Sequence, residues 1–476
     1  MRLLFSFLLM IGGLGVIQTT QSQKIWSLED CINYAMENNI QVRQQELGIQ
    51  LAEQNLLEAK AAMVPGLNAN ASHGYNWGRT VDRFTNQFAT ERVQFNNFYL
   101  SSSVYVFNGF RLLNTIRKDK LELQASQFDM EKMRNDISLT IAMAYLNILF
   151  SQEQLNSLVG QAEVTRQQVE RTRKLVDAGT LPKGALLSLE AQHAQDEKNV
   201  VSAENLLDYN MLTLVHLLDL PGTAGFAISK PSISLPDNTT LLATPDYIFA
   251  YAVENQPSVK SADVRVESAA RDLSIARSLM MPSVAVQGSW GTGYSGASQT
   301  VKDARITGVD TIGLTLEPTP VFVGAPSISY TLEKIAFRDQ IDQNNNTSLG
   351  FYMSIPLFNG LQARTSVSKA KIGMENARYN YQLARNQLYK DIQQSYADAL
   401  AALKRYRAAD KSRQALQESF AYTEQRFEVG MANSVEYNDA KNKLAQAESE
   451  VLQSKYEYLF RKTILDFYLG NPITLH

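Results

Sequence analysis

Val106-Phe107-Asn108-Gly109 returns within Pro356-Leu357-Phe358-Asn359-Gly360, at an offset of 251 residues (107 to 358). Tyr145, Gly179 and Pro221 keep the same offset and return as Tyr396, Gly430 and Pro472. Nearer the start, Ala35, Glu37-Asn38, Ala52, Ala59 and Pro65 return as Ala252, Glu254-Asn255, Ala269, Ala276 and Pro282, at an offset of 217 (35 to 252). The offsets differ by 34 residues (251 less 217), so the second copy carries an insertion between Pro282 and Phe358. A repeated unit this long is no short solenoid repeat. It reads as two similar halves of one architecture, with the insertion in a tolerant loop.

Each copy has the same internal order. A helix of about 35 residues ends at a proline, then come a strand, a loop, a second strand, a very long helix, a glycine turn and another long helix. The strands alternate. Leu67, Ala69, Ala71, His73, Tyr75 and Trp77 share one frame of 67–78, against Asn68, Asn70, Ser72, Gly74, Asn76 and Gly78. Leu349, Phe351, Met353, Ile355 and Leu357 oppose Ser348, Gly350, Tyr352 and Ser354. Val284, Val286, Gly288 and Trp290 form a third frame, and Phe98, Leu100, Ser102, Val104 and Val106 a weaker fourth. This period-two pattern fits a half-buried sheet and equally a transmembrane barrel wall. Length favours the wall, since a tilted span needs about 9–11 residues. Tyr75, Trp77, Tyr105, Phe107, Trp290 and Tyr294 lie near strand ends, as an aromatic girdle would. Four strands cannot close a barrel, and lipid tolerates no open sheet edge, so the membrane reading requires several chains to share one barrel.

The long helical stretches carry sevens. Ile141, Ile148, Leu155, Ala162, Val169 and Val176 recur in the first copy; Tyr437, Leu444, Val451, Tyr458 and Leu465 recur in the second. That spacing imposes coiled-coil packing. Ala399, Ala402, Ala409, Ala440 and Ala447 permit close helix approach.

Bulk composition excludes several classes. A net charge of −3, with both signs interspersed, gives no footprint for nucleic acid. One cysteine, Cys31, rules out an intramolecular disulfide framework, and it reads as a packed helix residue. His73, His193, His216 and His476 lack metal-ligand spacing. No phosphate loop or nucleophile elbow is present, so neither an enzyme nor a cofactor nor a metal is expected. Arg2, the apolar run Leu3–Ile17 and the polar stretch that follows form a signal peptide, residues 1–23. No later stretch has 18 consecutive apolar residues, which argues against a membrane-spanning helix.

The signal, the duplication, the strand pairs, the two Phe-Asn-Gly motifs and the turn Arg426-Phe-Glu-Val-Gly430-Met-Ala-Asn-Ser-Val-Glu436-Tyr-Asn-Asp439 together resemble the TolC-like outer-membrane efflux proteins. Leu28-Glu-Asp-Cys-Ile-Asn-Tyr-Ala-Met-Glu-Asn-Asn39 also looks like that family's first helix. The resemblance implies a mostly α fold with a transmembrane β part. A homotrimer would share one 12-stranded β-barrel, continued through the periplasm as a coiled-coil α-barrel. It implies a first repeat over 24–222 with a β-hairpin near 66–107, an equatorial linker over 223–244, and a second repeat over 245–476. The second hairpin, near 283–358, would carry a long extracellular loop, 295–347. The implied partners are a periplasmic membrane-fusion adaptor, an inner-membrane RND or ABC pump and outer-membrane lipid. The duct conducts passively and does no chemistry.

By the same resemblance, Gly179, Thr180, Leu181, Gly430, Met431 and Ala432 form the periplasmic tips that meet the adaptor, and Glu436 and Asp439 line the entrance constriction. Their three-residue spacing puts both carboxylates on one helix face, and threefold symmetry would make rings that attract cations. The bland alternative is an acidic helix start that offsets the helix dipole. The chain departs from the family's pattern in places. Ala432 stands where a basic residue helps tie the tip shut, Ala185 and Ser188 occupy the first-copy equivalents of the acids, and Leu181-Pro182-Lys183 is atypical. A coiled-coil structural or adhesive cell-surface protein is the other reading of the chain; it leaves the strand pairs and the export signal unexplained.

Overall fold

The computed structural model describes residues 25–90, 92–223, 225–231, 243–316 and 318–473. The expected signal peptide and most of the expected linker 223–244 lie outside the described residues. In the first half, β1 (Ile25–Trp26) leads into α1 (Leu28–Asn38) and α2 (Ile40–Ala61). Strands β2 (Gly66–Asn76), β3 (Thr80–Val81), β4 (Phe88–Ala89) and β5 (Val93–Asn108) follow, then α3 (Arg111–Asp177), α4 (Lys183–Leu217) and β6 (Ala227–Ile228). The second half runs α5 (Pro245–Asn255), α6 (Pro257–Ser278), β7 (Ser283–Ser295), β8 (Gln299–Leu314), β9 (Phe322–Lys334), α7 (Phe337–Gln343), β10 (Asn346–Ser354), α8 (Gln362–Glu428) and α9 (Ser434–Tyr468). Helix lengths recur: 11, 22, 67 and 35 residues for α1–α4, and the same for α5, α6, α8 and α9. No helix among the described residues is long and apolar enough to cross a membrane.

Two compact units result. One takes the chain up to Leu51, Leu123–Arg265 and the chain from Ala377; the other takes Ala52–Glu122 and Val266–Asn376.

Several expected boundaries move, each for a local reason. The single 35-residue helix of each copy is two helices. Asn39 is extended (φ −65°, ψ 130°), and its side chain accepts from Gln41 N at 2.9 Å and donates to Leu217 O at 3.1 Å. The matching break falls at Gln256 (φ −68°, ψ 126°), where Pro257 forces the preceding residue out of the helical region. The strand expected over 67–78 stops at Asn76, ahead of Gly78 with φ +96°. The strand expected to reach Leu357 stops at Ser354, because Pro356 has no N–H for the ladder.

The repeated Phe-Asn-Gly motif is a strand-to-helix turn. Gly109 and Phe110 have φ +65° and +63°, and Gly360 and Leu361 have +61° and +66°. Asn108 Oδ1 accepts from Leu112 N at 3.3 Å, and Asn359 Oδ1 from Ala363 N at 3.4 Å, so each asparagine supplies an acceptor to the first turn of a long helix.

In the helical unit, Trp26, Leu28, Cys31, Ala35 and Val42 pack with Ile141, Tyr145, Ile148, Leu149 and Leu214. Tyr145 is buried, and its hydroxyl donates to Ser229 O at 2.6 Å. Beside it β1 pairs in parallel with β6. Phe226, and more shallowly Ile473, cover the same cluster, so the inter-repeat segment and the chain's end share one core. Ile248, Ala252, Val259, Leu388, Ile392, Ala399 and Leu465 form a second cluster, against which Tyr396 packs. Ile141, Ile148, Val169, Tyr437, Tyr458 and Leu465 of the two heptad series are buried, and the others are half-buried.

The second unit holds a four-stranded antiparallel sheet in the order β10-β7-β5-β2. The connection 295–347, expected to be one long loop, instead contains the hairpin β8–β9 and the short helix α7.

Candidate functional site

The sheet registers align the sequence frames. One row across four strands is Leu67, Ser102, Gly288, Leu349, and the next is Ala69, Leu100, Trp290, Thr347. Val104, Val286 and Phe351 extend the same face. A β-bulge between Tyr105 and Phe107 then shifts the register, so Phe107, and not Val106 as the simple alternation predicts, joins Val284 and Met353 on this face. Ser102, Thr347 and Thr292 are polar positions within it, and His73 and Asn96, 2.5 Å apart, lie toward the far end. The opposite face carries Asn68, Ser101, Ser289 and Ser348 in one row and Asn70, Tyr99, Gly291 and Asn346 in another. The hydroxyls of Ser289 and Ser348 are 2.7 Å apart. The sheet is therefore mostly apolar on one side and amide- and hydroxyl-rich on the other. Its strands have 9 to 16 residues, and β2 and β10 are open edges.

In the helical unit the two glycine turns share one geometry. Gly179 (φ +74°) donates to Val176 O while Thr180 N donates to Leu175 O, both at 2.9 Å. Gly430 (φ +79°) donates to Phe427 O at 3.1 Å while Met431 N donates to Arg426 O at 2.8 Å. Both are Schellman closures that glycine enters without Cβ strain. Leu181 and Ala432 follow in the connections to α4 and α9. The first turn ends at Pro182, which offers α4 no side-chain cap. The second ends at Asn433, whose Oδ1 accepts from Val435 N and Glu436 N, both at 2.9 Å.

Glu436 is thereby placed in the first turn of α9, where its Oε1 accepts from Asn433 Nδ2 at 2.9 Å. Arg426 comes within 3.7 Å of its other oxygen and also donates to Met431 O at 3.2 Å. The basic group at this tip thus arrives from the last turn of α8, not from position 432. Asp439 pairs with Lys443 at 2.7 Å, one turn along α9. Both acids remain exposed, and both are partly neutralised within their own chain. Arg171 bonds Glu428 at 3.0 Å and ties the last turns of α3 and α8 together. Between the acids in sequence, Tyr437 points inward and stacks on Phe427 with ring centroids 4.8 Å apart. Burial, then nearby Glu424, pushes its phenol up to about 12.

One feature of this region is not legible in the motif. Lys441 and Asp196 are buried and paired at 2.9 Å. Lys441 also donates to Gln161 O at 2.9 Å and to Thr165 Oγ1. Thr165 in turn bonds Asp196, whose second oxygen accepts from Gln192 Nε2 at 2.8 Å. The cluster joins α3, α4 and α9. Neither the sevens nor the motif of the second turn marks it.

A family described as "Outer membrane efflux protein" matches residues 31–219 and 250–471. The chain is 20% identical over 437 residues to the outer membrane protein TolC of Escherichia coli, covering 91% of this chain and 80% of that one. It is 18% identical over 451 residues to the alkaline protease secretion protein AprF of Pseudomonas aeruginosa, covering 93% and 84%. The solved structure of the outer membrane protein VceC from Vibrio cholerae shares its fold, with a TM-score of 0.73 and 16% identity over 94% of this chain and 97% of that one.

Proposed function

This chain belongs to the outer membrane efflux protein family, and on that premise we propose that three copies form a passive duct through the outer membrane. The protein is an outer membrane channel component of efflux or secretion. The observation that carries the assembly is the four-stranded sheet. One face is mostly apolar, the other is lined largely by Asn and Ser, and two edges are left unpaired. Open edges are not tolerated in lipid, so β2 of one copy pairs with β10 of the next until the ring closes. Three copies give twelve strands, with the apolar face toward lipid and the polar face toward a water-filled lumen.

The long helices continue the duct on the periplasmic side. The turns at Gly179–Leu181 and Gly430–Ala432 contact a periplasmic adaptor, which joins the duct to an inner-membrane pump of the RND or ABC class. Glu436 and Asp439 form the entrance constriction. Their exposure and their place beside the second turn support this reading, while Arg426 and Lys443 moderate the field they present. A coiled-coil adhesive protein would use α3, α4, α8 and α9 equally well, but it leaves the two-faced sheet without a purpose.

The test is reconstitution of the purified protein in planar bilayers, with its mass measured in detergent. The expected result is a three-chain particle that conducts ions and prefers cations. A monomeric particle, or a trimer that never conducts, overturns the reading.

A further inference from the structure

The hairpin β8–β9 sits in the segment that the duplication does not explain. On β9 the even positions Phe322, Pro326, Ile328, Tyr330 and Leu332 share one face. The register pairs them with Leu314, Val309, Ile306, Ala304 and Val301 of β8. Every row but two, Gln299/Lys334 and Thr311/Gly324, therefore places apolar groups on this side. The other side carries Asp303/Thr331, Arg305/Ser329, Gly308/Ser327 and Asp310/Ala325. Four of its charges pair locally, Lys302 with Glu333 at 3.1 Å and Arg305 with Asp303 at 2.8 Å. On the apolar side, Ile306, Val309 and Phe322 are 71%, 72% and 73% exposed. An exposed apolar stripe of this length does not persist in water without a partner, and a lone two-stranded hairpin is marginal.

We propose that three copies of β8–β9 pack their apolar faces against one another on the threefold axis, and so cap the outer end of the duct. This rests on the trimeric reading above. Three observations select a second copy as the occupant. The first is continuity with the copy-to-copy sheet. The hairpin begins three residues after β7, and its base is fixed to that strand's end. Ile335 N donates to Ser298 O at 3.2 Å, Gln340 holds Ser295 N and O at 2.9 and 3.0 Å, and Asn344 donates to Gly293 O at 2.8 Å. A closed ring thus delivers three hairpin bases at fixed places around one pore, at the high effective concentration that tethering gives.

The second observation is chemistry. The stripe bears no charge between Val301/Leu332 and Leu314/Phe322, so it is complementary to itself rather than to a charged partner. A ribbon two strands wide and 13 residues long has a face of roughly 40 Å by 10 Å. Three such faces bury on the order of 1,200 Å², within the range of specific interfaces. The third is shape. Register shifts fall between Val301 and Asp303, Ile306 and Gly308, and Thr311 and Gly313, a regular interval of five residues on β8. Each bulge strengthens the right-handed twist, and evenly spaced bulges coil the ribbon as three intertwined ribbons require.

The experiment compares adjacent rows on opposite faces. Ile306→Cys and Ile328→Cys mark the apolar face, and Arg305→Cys and Ser329→Cys mark the polar face, all in the full chain with Cys31→Ala as background. Intact cells are treated with copper phenanthroline or a short bis-maleimide, and separately with a membrane-impermeant maleimide. The expected result is a cross-linked dimer of this chain at Ile306→Cys and Ile328→Cys and none at the polar positions, with maleimide labelling of the apolar pair reduced at least tenfold. Full labelling with no cross-link overturns the proposal. So does protection without a cross-link, which would mean lipid or a foreign protein covers the face. Particle mass in detergent separates the two readings: three chains without cross-links sink only the cap, whereas a monomer sinks both.

Discussion

Asp196→Asn removes one buried charge and leaves the side chain's shape almost unchanged. In the native cluster Lys441 Nζ has three acceptors, namely Asp196, Thr165 and Gln161 O, and both ionic side chains are 7% exposed. At an effective dielectric near 20, a pair 2.9 Å apart attracts by about 6 kcal/mol. Part of that offsets desolvation of the two ions, and breaking such a pair typically costs 3–5 kcal/mol because the remaining charge is stranded. An outer membrane protein of this size does not unfold in two states, so the readout is local. Amide hydrogen exchange around Thr165, Gln192 and Lys441 should accelerate by about 10²- to 10⁴-fold, at 1.36 kcal/mol per decade. Asp196→Leu combined with Lys441→Met removes both charges and should return protection to within about 1 kcal/mol of the native chain, or above it. Exchange within about threefold of native in Asp196→Asn would refute the claim that this pair holds α3, α4 and α9 together.

Glu436→Ala with Asp439→Ala should lower the cation-to-anion permeability ratio in planar bilayers, and Lys443→Ala alone, by freeing Asp439, should raise it; an unmoved ratio in both removes the constriction assignment. Gly430→Ala forces a Cβ into φ +79° and should cost about 1–2 kcal/mol, read as roughly tenfold faster proteolysis at the turn with the particle mass unchanged. Asp82 gives a pH prediction. Burial raises its pKa, but hydrogen bonds from Ser295 Oγ at 2.5 Å, from Thr85 N and Oγ1, and from Phe84 N outweigh it and hold the carboxyl below 3.8. A depressed carboxylate contributes stability that is complete above its unfolded pKa and lost as pH falls through the folded one. Exchange at Ser295 should therefore rise below about pH 4, and Ser295→Ala should move that transition upward.

The strand frames were legible in the sequence because a period of two needs no knowledge of partners. Leu67, Val284 and Leu349 fall on one face as read. Val106 was misassigned because a bulge adds one residue without any signature in composition. The same cause hides β8, where three bulges break the alternation, while the frame of β9 from Phe322 to Leu332 is regular in the sequence. Glycine turns at 179 and 430 were legible from the repeat alone. The acids after the second turn were legible as acids, but their neutralisation by Arg426 and Lys443 depends on side-chain reach across a turn. The Lys441–Asp196 pair was not legible at all, since its partners are 245 residues apart and meet only by packing.

Equal helix lengths have an engineering consequence. Arg171–Glu428 fixes the ends of α3 and α8 side by side, and both helices have 67 residues. One extra residue in α3 would turn everything beyond it by 100° and lift Gly179 about 1.5 Å away from Gly430. The two long helices therefore work as a matched pair of rulers, adjustable only together and only in sevens. Designers who wish to lengthen these helices must edit both copies at once.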